Sequence, residues 1–220
     1  MRELTFADER FLSRIVSCDV SVLRSFLDEP FVCRFFARHL ESVAREMRLL
    51  PFASADLYAK KVLCQYAAVR ASKPEVVVET GIASGVSSAY ILLAMKKNGC
   101  GQLHSIGLAD PADLPPGQKP GWLVPSELRE PWCVHLGDAR DLLPGLLREL
   151  RQIDVFIHDS DHSYHHMLWE FESAYPFLKE RGLLISDDAL WNKAFPEFAS
   201  RMNSPNRIIR GVGFMRKGTG

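Results

Sequence analysis

Apolar residues in the first seventy positions recur at the three- and four-residue spacing of helices, in sets that each form one stripe. Three such sets precede residue 48, and they are Phe11, Leu12, Ile15, Val16; Val22, Leu23, Phe26, Leu27; and Phe35, Leu40, Val43, Met47. Pro30 suits a first helical turn and is expected at the start of the third helix. A fourth helix is predicted over about 55–70, ending before Pro74 because a proline disfavours helix for its predecessor.

From residue 75 the pattern changes to short apolar runs that alternate with helical stripes, which is typical of a parallel sheet covered on both faces. This pattern predicts strands at 75–79, 102–107, 132–136, 153–158 and 182–187, and helices near 85–97, 139–151 and 162–180. The final RIIRGVGFMRKG holds two short apolar runs split by Gly211, which predict an antiparallel edge. The expected fold is α/β, a doubly wound and mostly parallel sheet with an N-terminal helical extension.

The segment 108–131 fits neither period, and its six prolines forbid most regular structure. A long connection of this kind is typical of a functional lid or a mobile loop. It is equally typical of a tolerated surface insertion, so both interpretations stay open.

Composition narrows the classes of partner. The 27 Lys and Arg residues balance the 27 Asp and Glu residues, and a net charge of zero argues against a nucleic acid or an anionic membrane as a partner. The longest apolar run, AYILLAM, is far short of the roughly 20 residues of a membrane span. The five scattered cysteines include no CxxC pair and predict reduced, mostly buried thiols. A cytoplasmic protein is expected, and the sequence leaves room for a homo-oligomer.

Polar residues follow the predicted strands, where ligands bind in open parallel sheets. Gly81 and Gly85 in ETGIASG let the backbone approach a ligand, and the helix that follows directs unpaired amides toward it. The same edge carries Glu79, Asp138, Asp159, Asp187 and Asp188. Neighbouring carboxylates repel, and a hard divalent cation such as Mg²⁺ relieves that repulsion, so Asp159, Asp187 and Asp188 are candidate metal ligands. His162, three residues after Asp159, is a candidate general base.

These residues resemble those of class I S-adenosylmethionine-dependent methyltransferases. The resemblance covers about residues 55–216 and is carried by ETGIASG, GDA, FIHDSDHSYHHMLWEFE and LLISDDALWN, which follow or end the first, third, fourth and fifth strands. It is greatest to the metal-dependent small-molecule O-methyltransferases, including those acting on macrolide sugars and, more distantly, on catechol and caffeoyl-CoA. A Rossmann-like methyltransferase domain over 55–220 and a helical extension or lid over 1–54 are therefore expected.

The resemblance implies a role for each matching residue. The glycine turn would hold the methionine part of S-adenosylmethionine through Glu79, Gly81, Ser84 and Gly85, and Asp138 would bind the adenine amino group beside Ala139. Asp159, Asp187 and Asp188 would hold Mg²⁺ or a similar divalent cation. His162 would remove the proton of a small-molecule hydroxyl, which then attacks the sulfonium methyl.

One position departs from the family pattern. These enzymes usually end the second strand with an acid that binds the ribose hydroxyls, whereas this chain has Gly107 there, and Asp110 is the nearest acid. Either Asp110 substitutes, or the nucleoside is held differently, or cofactor binding is lost. Gly107 keeps open a catalytically degenerate nucleoside-binding module. The histidines that crowd the end of the fourth strand keep open a non-haem iron oxygenase built on His158, His162 and a carboxylate.

Overall fold

The computed structural model describes residues 4–47, 55–111 and 114–219. Within them the α-helices are α1 (Phe6–Val16), α2 (Val20–Val32), α3 (Arg34–Met47), α4 (Ala55–Ser72), α5 (Val86–Asn98), α6 (Ala139–Leu150), α7 (Tyr164–Ala174) and α8 (Ala194–Arg201). The strands are β1 (Val76–Thr80), β2 (Gln102–Gly107), β3 (Trp132–Leu136), β4 (Ile153–His158), β5 (Leu178–Ser186), β6 (Asn206–Ile209) and β7 (Val212–Arg216). The expected α/β architecture with N-terminal helices is confirmed.

The strands form one sheet in the order β3-β2-β1-β4-β5-β7-β6, in which only β7 runs antiparallel to its neighbours β5 and β6. The predicted antiparallel edge around Gly211 is therefore confirmed. Strand order reverses between β1 and β4, which pair in parallel with Thr80 opposite His158. In sheets of this kind ligands bind at that reversal, beyond the carboxyl ends of the strands.

Each face of the sheet has its own hydrophobic core because side chains alternate along a strand. Val77 belongs to the core shared with the helices from α1 to α5, whereas its neighbour Val78 belongs to the core shared with α6, α7 and α8. The sheet is therefore covered on both faces. The division into 1–54 and 55–220 stays a prediction, and its boundary adjoins residues 48–54, outside the described part of the chain.

Two predictions about elements need correction, and one helix was not predicted. Pro30 does not begin α3 but lies in the last turn of α2, which ends two residues later, and α3 begins at Arg34. The helix predicted over 162–180 ends at Ala174, because Pro176 falls in a 3₁₀ turn and Leu178 already begins β5. Helix α8 was not predicted, because its eight residues are too few for a clear periodic signal. The side chains of Leu40, Val43 and Met47 lie outside the described part of the structure.

No disulfide joins the cysteines within the described residues, and the expectation of mostly buried thiols is wrong. Only Cys64 is buried, while Cys100 is exposed and the others are half-buried. Among the described helices, none is both long and apolar enough to cross a membrane.

Candidate active site

The glycine turn that follows β1 lies against the end of β4. Gly81 has a φ of +92°, and a Cβ at this residue would lie 1.8 Å from the carbonyl oxygen of Asp159. The Gly81 amide donates to the carbonyl of Ile106 at the end of β2, at 2.8 Å. Residue 81 must therefore be glycine for the ends of these strands to meet.

The other glycine of the turn is covered by the proline-rich segment. Gly85 has a φ of +88° and immediately precedes α5, and a Cβ there would lie 2.7 Å from the Cα of Gly121. The Gly121 amide donates to the Ala83 carbonyl at 2.9 Å, and the Leu123 amide donates to the Ser84 carbonyl at 3.0 Å. This part of segment 108–131 is bound to the candidate cofactor turn, which favours its interpretation as part of the site.

Glu79 is fully buried beneath the turn. Its carboxylate accepts hydrogen bonds from the hydroxyls of Ser87, Ser88 and Ser105 at 2.6–2.8 Å. Burial raises the pKa of Glu79, and these hydrogen bonds oppose that rise. Glu79 therefore connects β1 to α5 and β2.

Gly107 leaves no room for the acid that the resemblance leads us to expect at the end of β2. A Cβ at Gly107 would lie 2.9 Å from both the Cβ and Cγ1 of Ile82, a residue of the glycine turn. Asp110, the nearest acid, is exposed on the loop that follows. The buried Ile82 thus accounts for the departure from the family pattern.

Asp138 begins α6 at the same edge of the sheet. One of its carboxylate oxygens accepts the Arg140 amide at 2.7 Å, so the residue is the N-cap of the helix. Asp138 itself is exposed, and the neighbouring Ala139 is buried. An exposed carboxylate held by its own helix is well placed to accept from a ligand.

Three carboxyl groups converge after β4 and β5. The Asp159 amide donates to the Thr80 carbonyl and the Asp187 amide donates to the His158 carbonyl, each at 2.8 Å, which fixes both residues at the strand ends. Burial raises the pKa of Asp159 well above its ordinary value, and the nearby charge of Asp187 raises it further. Asp188 follows in the left-handed region, with a φ of +44°.

A lysine from α4 lies among these carboxyl groups. The Lys61 ammonium is 3.5 Å from Oδ2 of Asp187 and contacts Oδ1 of Asp188 more closely. Burial lowers the pKa of Lys61, but the hydrogen bonds and charges of Asp188 and Asp187 outweigh burial and raise it. Within the described residues, no three His, Cys, Asp or Glu side chains are arranged as a metal site.

His162 lies beside the same carboxyl groups. Its Nε2 is 3.5 Å from Oδ2 of Asp188 and 4.0 Å from Oδ1 of Asp159, and its Nδ1 is 3.3 Å from Nε2 of His158. Burial lowers the pKa of His162, and so does the neighbouring His158. A histidine whose pKa is lowered is neutral at pH 7 and able to accept a proton.

His158 is held in turn by the buried Glu170. Nδ1 of His158 lies 2.6 Å from one Glu170 oxygen, and Nε2 of His166 lies 2.9 Å from the other. Burial raises the pKa of Glu170, but hydrogen bonds from His158 and His166 outweigh it and lower the pKa to about 2. The hydrogen bond to Glu170 raises the pKa of His166, which favours the protonated form of His166 beside the Glu170 carboxylate.

This arrangement orients the ring of the candidate base. An ionised carboxylate only accepts hydrogen bonds, so Nδ1 of His158 donates to Glu170. With Nε2 of His158 as the acceptor, His162 donates from Nδ1, and the lone pair of its Nε2 lies on the side of Asp188 and Asp159. Both ring nitrogens of His158 are engaged within the protein, which argues against the iron site built on His158.

Lys61, Glu170 and Ile82 were missed at the sequence level. Lys61 interrupts the apolar face of α4 just before a run of buried residues, which is the signal that could have singled it out. Glu170 has a comparable signal, because it stands among the apolar positions of α7 between Met167 and Phe171. Ile82 has none.

The sheet order, the glycine turn at the strand reversal and the acidic strand ends define a Rossmann-like methyltransferase fold. A family model described as a methyltransferase domain matches residues 78–189, half of the chain. The chain belongs to this family, which confirms the resemblance to the class I S-adenosylmethionine-dependent methyltransferases. No curated protein sequence matches the chain significantly.

Solved structures of methyltransferases share the fold. One from Geobacter sulfurreducens is 20% identical with a TM-score of 0.60, and covers 82% of this chain and 88% of its own. PaMTH1 from Podospora anserina, bound to S-adenosylhomocysteine, is 14% identical with a TM-score of 0.57, at 83% and 87% coverage. CalS11, a calicheamicin methyltransferase, is 17% identical with a TM-score of 0.54, at 99% and 95% coverage. The chain spans about half the length (46%) of the mycinamycin-pathway methyltransferase MycE.

Proposed function

We propose that this chain transfers the methyl group of S-adenosylmethionine to a hydroxyl of a small molecule. The observation that carries the proposal is the contact of the glycine turn with the Asp159 backbone, because it brings the candidate cofactor turn and the candidate catalytic groups to one edge of the sheet. The S-adenosylhomocysteine bound to PaMTH1 supports this choice of cofactor.

The cofactor would lie along the carboxyl ends of β1, β2 and β3. Gly81, Ser84 and Gly85 would hold its methionine part above the buried Glu79, and Asp138 would accept from the adenine amino group beside Ala139. Since Ile82 fills the space next to Gly107, Asp110 on the following loop is the acid we assign to the ribose hydroxyls.

His162 would accept the acceptor's proton at Nε2. The acceptor oxygen then forms a bond to the methyl carbon while the bond from carbon to sulfur breaks, which releases S-adenosylhomocysteine. General-base assistance of this kind contributes about 10²- to 10⁴-fold to a rate. Asn192 holds the backbone of His162 by donating to its carbonyl at 2.7 Å, and His158 contacts the ring. Both the backbone and the ring of His162 are therefore positioned.

A divalent cation fits the donor chemistry of the site. Asp159, Asp187 and Asp188 offer hard oxygen ligands, and Oδ1 of the buried Asp187 has no hydrogen-bond partner. These three residues would hold Mg²⁺, whose chemistry here would be Lewis-acid activation of the acceptor hydroxyl. The ion would have to compete with Lys61.

An apolar surface adjoins the candidate base and suits a small organic acceptor. Leu190 and Trp191 are 72% and 70% exposed, and the Trp191 ring centroid lies 5.6 Å from that of His162. Large apolar side chains exposed together commonly mark binding sites. The likeness to CalS11, a calicheamicin methyltransferase, also supports a small molecule as acceptor. The balanced charge of the chain supports neither nucleic acid nor membrane as a partner, and a cytoplasmic location and a homo-oligomer stay predictions.

Titration with S-adenosylhomocysteine tests the cofactor assignment. Wild-type protein is expected to release binding heat in a calorimeter, and Asp138→Ser is expected to weaken the affinity about 10- to 100-fold, as expected for loss of a hydrogen bond to a charged group. Serine retains helix-capping ability, so the fold of α6 is preserved. Asp141→Ser, at an exposed position in the same turn, is the matched control and should bind like wild type.

Absence of heat from wild-type protein at millimolar ligand would contradict the proposal. Binding without methyl transfer to any hydroxyl acceptor would instead favour a degenerate nucleoside-binding module. Iron in the purified protein, together with oxygen consumption, would favour the oxygenase.

A further inference from the structure

Lys61 reaches the carboxyl groups from a distant part of the chain. It lies 126 positions before Asp187, in α4, and its side chain is only 14% exposed. Gly211, in the turn between β6 and β7, lies beside it, since a Cβ there would be at van der Waals distance, 3.5 Å, from Cε of Lys61. The ammonium is therefore enclosed by the fold rather than resting on its surface.

The backbone beside the ammonium has an unfavourable conformation at Asp188. Asp188 has a positive φ, a conformation that is unfavourable for a residue other than glycine and persists only where its surroundings enforce it. The Ala189 amide donates to the Gly211 carbonyl and the Trp191 amide donates to the Asp188 carbonyl, each at 2.8 Å, which maintains this conformation. Asp187 and Asp188 can thus both contact one cation.

The charges around the ammonium do not balance. Lys61 is a single cation, and it contacts two carboxyl groups, those of Asp187 and Asp188. Asp187 is 6% exposed, yet its Oδ1 has no partner. The Lys61 ammonium donates to Asp187 and Asp188 but leaves Oδ1 of Asp187 without a hydrogen bond. A buried acceptor without a partner is expected to bind a ligand.

We propose that Lys61 is a built-in competitor for the divalent cation, which binds Asp187 and Asp188 only after the ammonium has left them. The inference rests on the proposed function only in taking Asp187 and Asp188 as ligands of the divalent cation. The affinity of the site for Mg²⁺ is then weak, because the ion must displace the Lys61 ammonium, which is covalently part of the chain. Movement of α4 or of the lysine side chain would then control metal occupancy.

Titration with MnCl₂ tests the inference on the full chain. Lys61→Met retains the length of the side chain and removes its charge, so it is expected to bind Mn²⁺ at least about ten-fold more tightly than wild type. Lys61→Arg retains the charge and should stay within about three-fold of wild type. Lys179→Met removes a lysine paired with Glu75 and Asp154, away from the site, and should also bind like wild type.

Two further measurements make the result decisive. Adding Asp187→Asn to Lys61→Met should abolish the gain in Mn²⁺ affinity, and Mn²⁺ should raise the melting temperature of Lys61→Met more than that of wild type, even where the variant is less stable. Equal Mn²⁺ affinities for wild type and Lys61→Met, or no binding by either, would overturn the inference. Binding of S-adenosylhomocysteine to wild type is independent of that result, and its absence would contradict the proposed function instead.

Discussion

Replacing Glu170 with glutamine is expected to lower the free energy of unfolding by about 3–5 kcal/mol, the usual cost of removing one partner from a buried charged pair. The carboxylate accepts from Thr80 at 2.6 Å and from Ser160 at 2.7 Å, besides its contacts with His158 and His166. A glutamine would direct an amide donor at groups that are themselves donors. Urea unfolding at pH 7 measures the change.

Glu172→Gln is the matched control, because Glu172 lies on the same helix, is 52% exposed and pairs with Arg201 on the surface. Its replacement should cost no more than about 1 kcal/mol. Comparable losses for the two variants would show that the buried network does not stabilise the fold as described.

The stability difference between wild type and Glu170→Gln should depend on pH. The pKa of Glu170 falls from its ordinary 4.5 to about 2 in the folded chain, so its ionised form is favoured by folding. That contribution is fully present above pH 4.5 and is lost as the pH falls through about 2. The difference should therefore narrow between pH 4.5 and pH 2, and a constant difference would contradict the assignment of an ionised Glu170.

Replacing Gly81 with alanine is expected to abolish measurable binding of S-adenosylhomocysteine. The affinity should fall at least about 100-fold, because a misplacement of about one ångström at a site can have an effect of this size. The new methyl group would lie 1.8 Å from the Asp159 carbonyl oxygen, so the turn or the end of β4 must move. The positive φ adds strain to any side chain at this residue. Calorimetry gives the affinity, and thermal unfolding separates lost binding from lost folding.

Gly145→Ala provides the control for Gly81→Ala. Gly145 lies inside α6, has no positive φ, and has nothing within 4 Å of the position that a Cβ would occupy. Alanine there should stabilise the helix by about 0.5–1 kcal/mol and leave binding unchanged. Retained ligand affinity in Gly81→Ala would mean that the cofactor does not lie on this turn.

The sheet was largely predictable because its strands are short buried runs bounded by clear breaks. The predicted bounds of β2, β3 and β4 match those observed, and the antiparallel edge followed from two short apolar runs split by Gly211. The sequence pattern was less clear at Pro30 and at Leu178, because each of these residues is compatible with two different secondary-structure elements. Which element prevails there depends on tertiary packing.

The acidic edge of the site was predictable for a topological reason, since the carboxyl ends of parallel strands share one edge of the sheet. The contacts of Lys61 were not, because its partners are 126 and 127 positions away in the sequence. The contact of Ile82 with Gly107 depends on how the turn folds over β2. The sequence therefore indicated which strand ends carry the candidate site residues. Only the structure reveals the Lys61 ammonium and the buried hydrogen-bond network around Glu170.

A crystal structure of the chain with S-adenosylhomocysteine tests the central claim most directly. We expect density for the homocysteine part over the turn of residues 81–85, the adenine beside Asp138 and the sulfur facing His162 and Asp159. A nucleoside bound elsewhere, or one whose sulfur faces away from the ends of β4 and β5, would contradict the claim.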